Sequence, residues 1–204
     1  MIIRKLEKSD LGARVVWMNN PQVYETMHFV PPITLDNTVA WFDRNKSVSS
    51  RCDMAFDDDN GNLVAMGGLT NIDYTTRKAE FYIFVNPMRQ REGIGTLATK
   101  LLCKYGFKVL NLHKIYLYTN NTNKGARKTY EKVGFRLEGI HRDEMMENEV
   151  YDDRLYYGLL ASEFNEGNAS MNLKGCNSVT LERYKLDGYD FAVVRDDLFP
   201  KVGG

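Results

Sequence analysis

The sequence predicts an α/β fold of the α+β kind, built on one mixed sheet. Three observations point there. Short apolar runs of strand length open the chain and recur later between helical patterns. A glycine-bearing loop joins a buried strand to a helix at Val85–Thr96. The order strand, helix, strand, helix, strand, strand in the second half calls for helices on both faces of the sheet.

Ile2–Leu6 (IIRKL) reads as the first strand, and Ser9 is placed to cap a helix carrying Leu11, Val15, Val16 and Met18. Trp17-Met18-Asn19-Asn20-Pro21 closes that helix, since a proline ring bars its continuation. Pro31-Pro32 makes a rigid loop, and Thr34 caps a second helix with Leu35, Val39 and Phe42 on one face. Met54–Phe56 and Leu63–Thr70 form a hairpin around Asp58-Asp59-Asn60-Gly61, where Asn-Gly is the turn signal. Ala79–Val85 (AEFYIFV) adds an antiparallel strand that Pro87 ends. Ile94, Leu97, Ala98, Leu101, Leu102 and Tyr105 then recur at helical spacing. Lys114–Thr119 alternates as a strand, and Gly125–Lys132 is a short helix stopped by Gly134 in the place of a left-handed cap. Phe135–Gly139, extending toward Met145, and Val150–Leu160 are the last strands.

At 204 residues and 43% hydrophobic content the chain has room for one full domain and part of another. Lys+Arg and Asp+Glu both number 27, and this balance gives no reason to expect nucleic acid or an acidic membrane as partner. No run reaches membrane-span length and the N-terminus lacks the apolar core of a signal peptide, so a cytoplasmic location is expected. Cys52, Cys103 and Cys176 are few, odd in number and far apart, which argues for a reducing compartment and against a zinc site. His28, His113 and His141 are equally scattered, and no metal is expected.

The loop Gln90-Arg91-Glu92-Gly93-Ile94-Gly95-Thr96 opens a helix. It would present unpaired backbone N–H groups and a positive dipole end, which suits a phosphate, and Gly93 and Gly95 would let that anion approach. A second stretch, Asn123 to Phe135, carries a capping Asn123 and a helix face of Ala126, Tyr130 and Val133.

Gln90-x-x-Gly93-x-Gly95 after a strand, followed by Asn123-x-x-Ala126-x-x-x-Tyr130-x-x-x-Gly134-Phe135, resembles the GNAT superfamily of acetyl-CoA-dependent N-acetyltransferases. The resemblance covers about residues 1–164. It implies a GNAT-like acyl-CoA N-acyltransferase fold with splayed central strands and acetyl-CoA as co-substrate. On that resemblance, backbone N–H groups from Gln90 through Arg91, Glu92, Gly93, Ile94 and Gly95 to Thr96 would hold the pyrophosphate. Main chain at Phe84 and Val85 would pair with the pantetheine arm, Asn123 would touch the cofactor near the arm's end, and Tyr130 would sit by the sulfur. A tyrosine, with ordinary pKa about 10, stays protonated at neutral pH and can donate to a departing thiolate. Val85 N–H would face the carbonyl oxygen. Glu80, on the face of Tyr82 and Phe84, is the candidate base, directly or through water. Neither motif holds a cysteine, so direct transfer to a primary amine is expected rather than an acyl-enzyme.

The N-terminal half, including Trp17-Met18-Asn19-Asn20-Pro21, Trp41-Phe42 and Gly67-Gly68-Leu69-Thr70, resembles the branch acting on nucleotide-linked amino sugars. Trp17, Met27, His28, Phe29 and Arg77 are the candidate acceptor contacts, offering aromatic stacking and a basic partner for a diphosphate. Acetyltransferases for protein N-terminal alanine and for polyamines are similar as well. A polyamine site wants carboxylates, which Asp57-Asp58-Asp59 or Asp143, Glu144 and Glu147 could supply. The competing class is a non-catalytic acyl-CoA-sensing module.

Residues 165–204 read as a polar linker (Asn165–Ser170) plus a short segment. Leu181–Tyr184 and Val193–Gly204 resemble the opening of fold-type II pyridoxal-phosphate (PLP) enzymes, which implies fusion to a second, PLP-dependent domain in a longer protein. The other reading is a C-terminal hairpin that pads the transferase or a homodimer contact.

Overall fold

A computed structural model describes residues 1–147, 149–165, 172–173, 180–186 and 189–195; of Glu147 and of the segments from 172 on, only the strand backbone is described. The predicted linker past Asn165 and the stretch 196–204 of the PLP-like segment lie outside the described residues.

Strands β1 (Ile2–Lys5), β2 (Cys52–Asp57), β3 (Leu63–Asp73), β4 (Lys78–Val85), β5 (Lys114–Asn120), β6 (Arg136–Glu147) and β7 (Val150–Leu160) form one mixed sheet in the order β6-β7-β5-β4-β3-β2-β1. The two-residue β8 (Asn172–Leu173) adds parallel to β1, and β9 (Thr180–Leu186) and β10 (Tyr189–Arg195) pair as a separate antiparallel hairpin. β4 and β5 run parallel, while the remaining pairs from β1 to β7 are antiparallel.

Helices cover both faces. On one, α4 (Ile94–Lys108) and α5 (Lys124–Val133) bury Ala98, Leu101, Leu102 and Val133 against Ala79 and Phe81 of β4. On the other, α1 (Leu11–Met18), α2 (Pro21–Met27) and α3 (Leu35–Asn45) pack Leu11, Trp17 and Val23 over Ala55, Met66 and Phe84. Successive strand residues point to opposite faces, so Phe81 and Phe84 serve different cores.

Three expectations change. α1 does end at Met18, but Pro21 goes on to start α2: a missing N–H costs nothing at the first helical position, and Asn20 caps by accepting from Gln22 N–H at 3.0 Å. Ser9 does not cap α1; it lies inside a short 3-10 turn (Lys8–Asp10) held by a reciprocal Glu7–Asp10 box. The inner face of α1 is Leu11, Arg14, Trp17 and Met18, while Val16 is 69% exposed.

Candidate active site

The sheet splits at its middle. Pairing between β4 and β5 ends at Glu80–Tyr116, although β4 continues to Val85 and β5 to Asn120. The strands therefore splay, as expected. Asn86 N–H donates to Val64 O (2.9 Å) on the β3 side, which makes Ala65–Val85 a non-hydrogen-bonded pair. Val85, and by alternation Ile83, thus turn main-chain N–H and C=O into the gap, whereas Phe84 spends its own on β3. Pairing to a sheet strand stops where the gap opens, so these groups are available to a ligand with amides of its own.

A groove of about 510 Å³ occupies the gap. Gln90, Arg91, Gly93, Gly95 and Thr96 line one end. Arg91 (φ 67) and Gly93 (φ 80) are both left-handed, which turns the chain sharply into α4. Leu97 N–H is the first to close back, onto Gly93 O at 3.1 Å, so the N–H groups of Ile94, Gly95 and Thr96 have no helical partner. The Ile94 side chain is buried in the core, and Glu92 is held by Arg89 at 2.8 Å. A methyl on Gly95 would meet nothing closer than Val85 Cγ2 at 3.5 Å.

Asn123 and Tyr130 line the same groove. Asn123 Oδ1 accepts from Ala126 N–H at 3.1 Å and caps α5, leaving its amide nitrogen for a ligand. Gly134 (φ 113) ends the helix with a left-handed cap, its N–H reaching Tyr130 O. The Tyr130 ring is 8% exposed and packs edge-on against Phe81 and Phe135, with centroids 6.0 and 5.8 Å away. Burial pushes its phenol well above the ordinary tyrosine range.

The other candidates fall in different places. Met27 lines the groove, and His28, left-handed at the end of α2, hydrogen-bonds Asn120 at 3.1 Å across to the end of β5. Glu80 lines no described cavity and accepts a hydrogen bond from Asn71 Nδ2 at 2.8 Å. Trp17 is buried edge-on against Phe84 (6.4 Å), and Arg77 sits in the β3–β4 turn, its carbonyl accepting from His113 N–H at the opposite end of β4 from the loop. Neither lines the described cavities.

A second cavity, about 470 Å³, lies on the α1–α3 face. Arg14, Met18, Met27, Phe29, Trp41 and Tyr82 are among its walls, and Met27 belongs to both spaces. Arg51 donates to both oxygens of Asp53 at 2.6 and 2.9 Å, and the Tyr82 phenol donates to the same carboxylate. Burial raises the Tyr82 phenol, which keeps it a donor. Of the acidic groups expected to serve a polyamine, the first set is engaged elsewhere, Asp57 with Arg4 at 2.8 Å, Asp58 with Arg89 at 3.3 Å and Asp59 with the N-terminus at 2.6 Å, while Asp143 and Glu144 are exposed on β6 and line neither cavity.

Residues 1–136 match the family model for the acetyltransferase (GNAT) domain. The chain belongs to the GNAT acetyltransferases. A spermidine N(1)-acetyltransferase of Escherichia coli K12 is 40% identical over 91 residues, 45% of this chain and 49% of that protein, so the chain spans about half of that relative. The Vibrio cholerae spermidine N(1)-acetyltransferase is 30% identical over 166 residues, 80% of this chain and 95% of it. Its crystal structure with CoA and spermine superimposes with a TM-score of 0.76 at 29% identity, covering 79% of this chain and 95% of that one. A Bacillus subtilis protein, the putative ribosomal N-acetyltransferase YdaF, is 34% identical over 104 residues, 51% of this chain and 57% of it.

Within this GNAT frame, sequence reasoning missed α2, whose Gln22, Val23 and Thr26 form one wall of the groove; it read β5 as a strand but not that Tyr118 and Thr119 line the groove. The pair Asn20-Pro21 carried the signal for α2. Among the described residues no three His, Cys, Asp or Glu side chains come together as a metal site, and no helix is long and apolar enough to cross a membrane.

Proposed function

We propose that the chain transfers the acetyl group of acetyl-CoA to a primary amine, directly within a ternary complex. One observation carries this reading: the splayed gap connects an amide-lined helix start to a buried phenol. The residues fit coenzyme A, because free N–H groups suit a diphosphate and the unpaired main chain of Ile83 and Val85 suits an arm containing amides. Bound acetyl-CoA would supply an activated acetyl thioester.

Val85 N–H holds the carbonyl oxygen of that thioester as negative charge grows on it. Tyr130 keeps its proton and gives it to the departing sulfur; such a positioned acid contributes roughly 10²–10⁴-fold. Glu80 lies outside both cavities, so the amine enters neutral or loses its proton through water. Cys103 is fully buried and its thiol is pushed far up by desolvation, which leaves it no part as a nucleophile.

The relatives named for spermidine support a polyamine acceptor over the nucleotide-linked amino sugar. A second reading rests on the lining of the second cavity, where a buried arginine and no carboxylate meet: an amine that is not a polycation. Thiol release from acetyl-CoA, followed with spermidine, spermine, an alanine-terminated peptide and amines that carry an acidic group, tests the proposal. Turnover of any one supports transfer. Tight acetyl-CoA binding without turnover of any points to a sensor instead.

A further inference from the structure

We infer that Arg14 makes the second cavity a receptor for an oxyanion on the acceptor, so that the substrate class is an amine bearing a carboxylate or phosphate. The inference rests on the acetyl-transfer reading above. Helix α1 buries Arg14 at 4% exposure while leaving Val16 in solvent, the reverse of what hydrophobicity alone would arrange. Arg14 Nη1 is the one buried side-chain nitrogen or oxygen without a hydrogen-bond partner among the described residues. The guanidinium lies over the faces of Trp41 and Phe84, 4.3 and 5.2 Å from their centroids. Such stacking orients the planar fork, Arg14 lines the cavity, and a planar or tetrahedral oxyanion is the partner a guanidinium fork fits.

Charge decides which ligand suits that fork. Asp53 is taken by Arg51 and Tyr82, so Arg51 is neutralised and Arg14 is not. No Asp or Glu lines the cavity among the described residues. A polyamine would bring further positive charge to an unopposed cation. An acceptor with an anionic group reverses that sign. Phe84 connects the two ends, since its ring touches Arg14 and the next residue, Val85, faces the gap. The anion at Arg14 and the amine at the gap can therefore belong to one molecule, with Met18, Met27 and Phe29 around its apolar body.

The test titrates matched amines into the full chain saturated with CoA, reading tryptophan fluorescence, which Trp41 above Arg14 makes sensitive. The pairs are phenylalanine with phenethylamine for a carboxylate, and glucosamine 6-phosphate with glucosamine for a phosphate; spermidine is run alongside. In at least one pair the anionic member is expected to bind ten or more times more tightly than its neutral partner and than spermidine. Arg14→Met should erase that preference without lowering Tm, and Arg14→Lys should keep part of it. Spermidine binding best, equal or absent binding within both pairs, or a preference unchanged in Arg14→Met overturns the inference. Acetyl-CoA affinity and thiol release, measured on the same samples, report separately on the transferase reading.

Discussion

In the proposed reaction Tyr130 is the acid, and its surroundings hold it in place. Its ring is fixed by Phe81, Phe135 and Tyr157, all buried, so the hydroxyl has little freedom to wander. Tyr130→Phe keeps those ring contacts and removes only the proton donor. It should lower kcat by about 10²–10⁴-fold while leaving the Kd for acetyl-CoA within about threefold. An unchanged kcat would remove Tyr130 as the acid. Burial raises this phenol, and a raised pKa means the neutral, donating form persists above the ordinary value near 10. The rate should rise with pH as the amine loses its proton and then stay level to about pH 10. A decline in kcat setting in near pH 9 would contradict a buried tyrosine acid.

At the scale of elements, close approach between strands is what shapes the sheet beside the second cavity. Gly68 of β3 has no room for a side chain: a methyl there would lie 2.5 Å from Cys52 O and 2.7 Å from Tyr82 Cε1. Gly68→Ala should therefore destabilise the fold by about 1–3 kcal/mol, read as a lower midpoint in urea, and displace the Tyr82 ring. The local rules were legible where one residue sets one backbone state. Thr34 accepts from Asn37 N–H at 3.3 Å, Asn123 caps α5, and Gly134 ends it. They failed where two signals compete. Pro21 both ends and begins helices, and only Asn20 beside it distinguishes the cases. On α3 the most deeply buried residue is Thr38, whose hydroxyl is satisfied by Thr34 O at 2.8 Å, while Leu35 is half exposed. Val39 and Phe42 pack on the core as hydrophobicity predicts, so only Leu35 and Thr38 escape that rule.

Across the whole molecule, much of the lining of the groove was readable and that of the second cavity was not. The loop at Gln90–Thr96 and the helix at Asn123–Gly134 are contiguous, so their spacing survives in one dimension. Arg14, Trp41, Arg51 and Tyr82 come from α1, α3, the approach to β2 and β4, and only the folded sheet brings them together. An arginine on a helix is ordinarily read as solvent-facing, and nothing local marks Arg14 as buried. A comparable long-range unit anchors the N-terminus: Arg4 of β1 donates to Asp10 at 2.7 and 2.9 Å and to Asp57 at 2.8 and 3.1 Å, both carboxylates buried. Arg4→Met would leave two buried acids facing each other and should cost about 3–5 kcal/mol of stability, measured by chemical denaturation.

The structure of the complex with acetyl-CoA is the most direct test. It should show the diphosphate on the amides between Gln90 and Thr96, the arm beside Ile83 and Val85, and the sulfur next to the Tyr130 phenol. Coenzyme bound elsewhere, with the gap between β4 and β5 empty, would contradict the account.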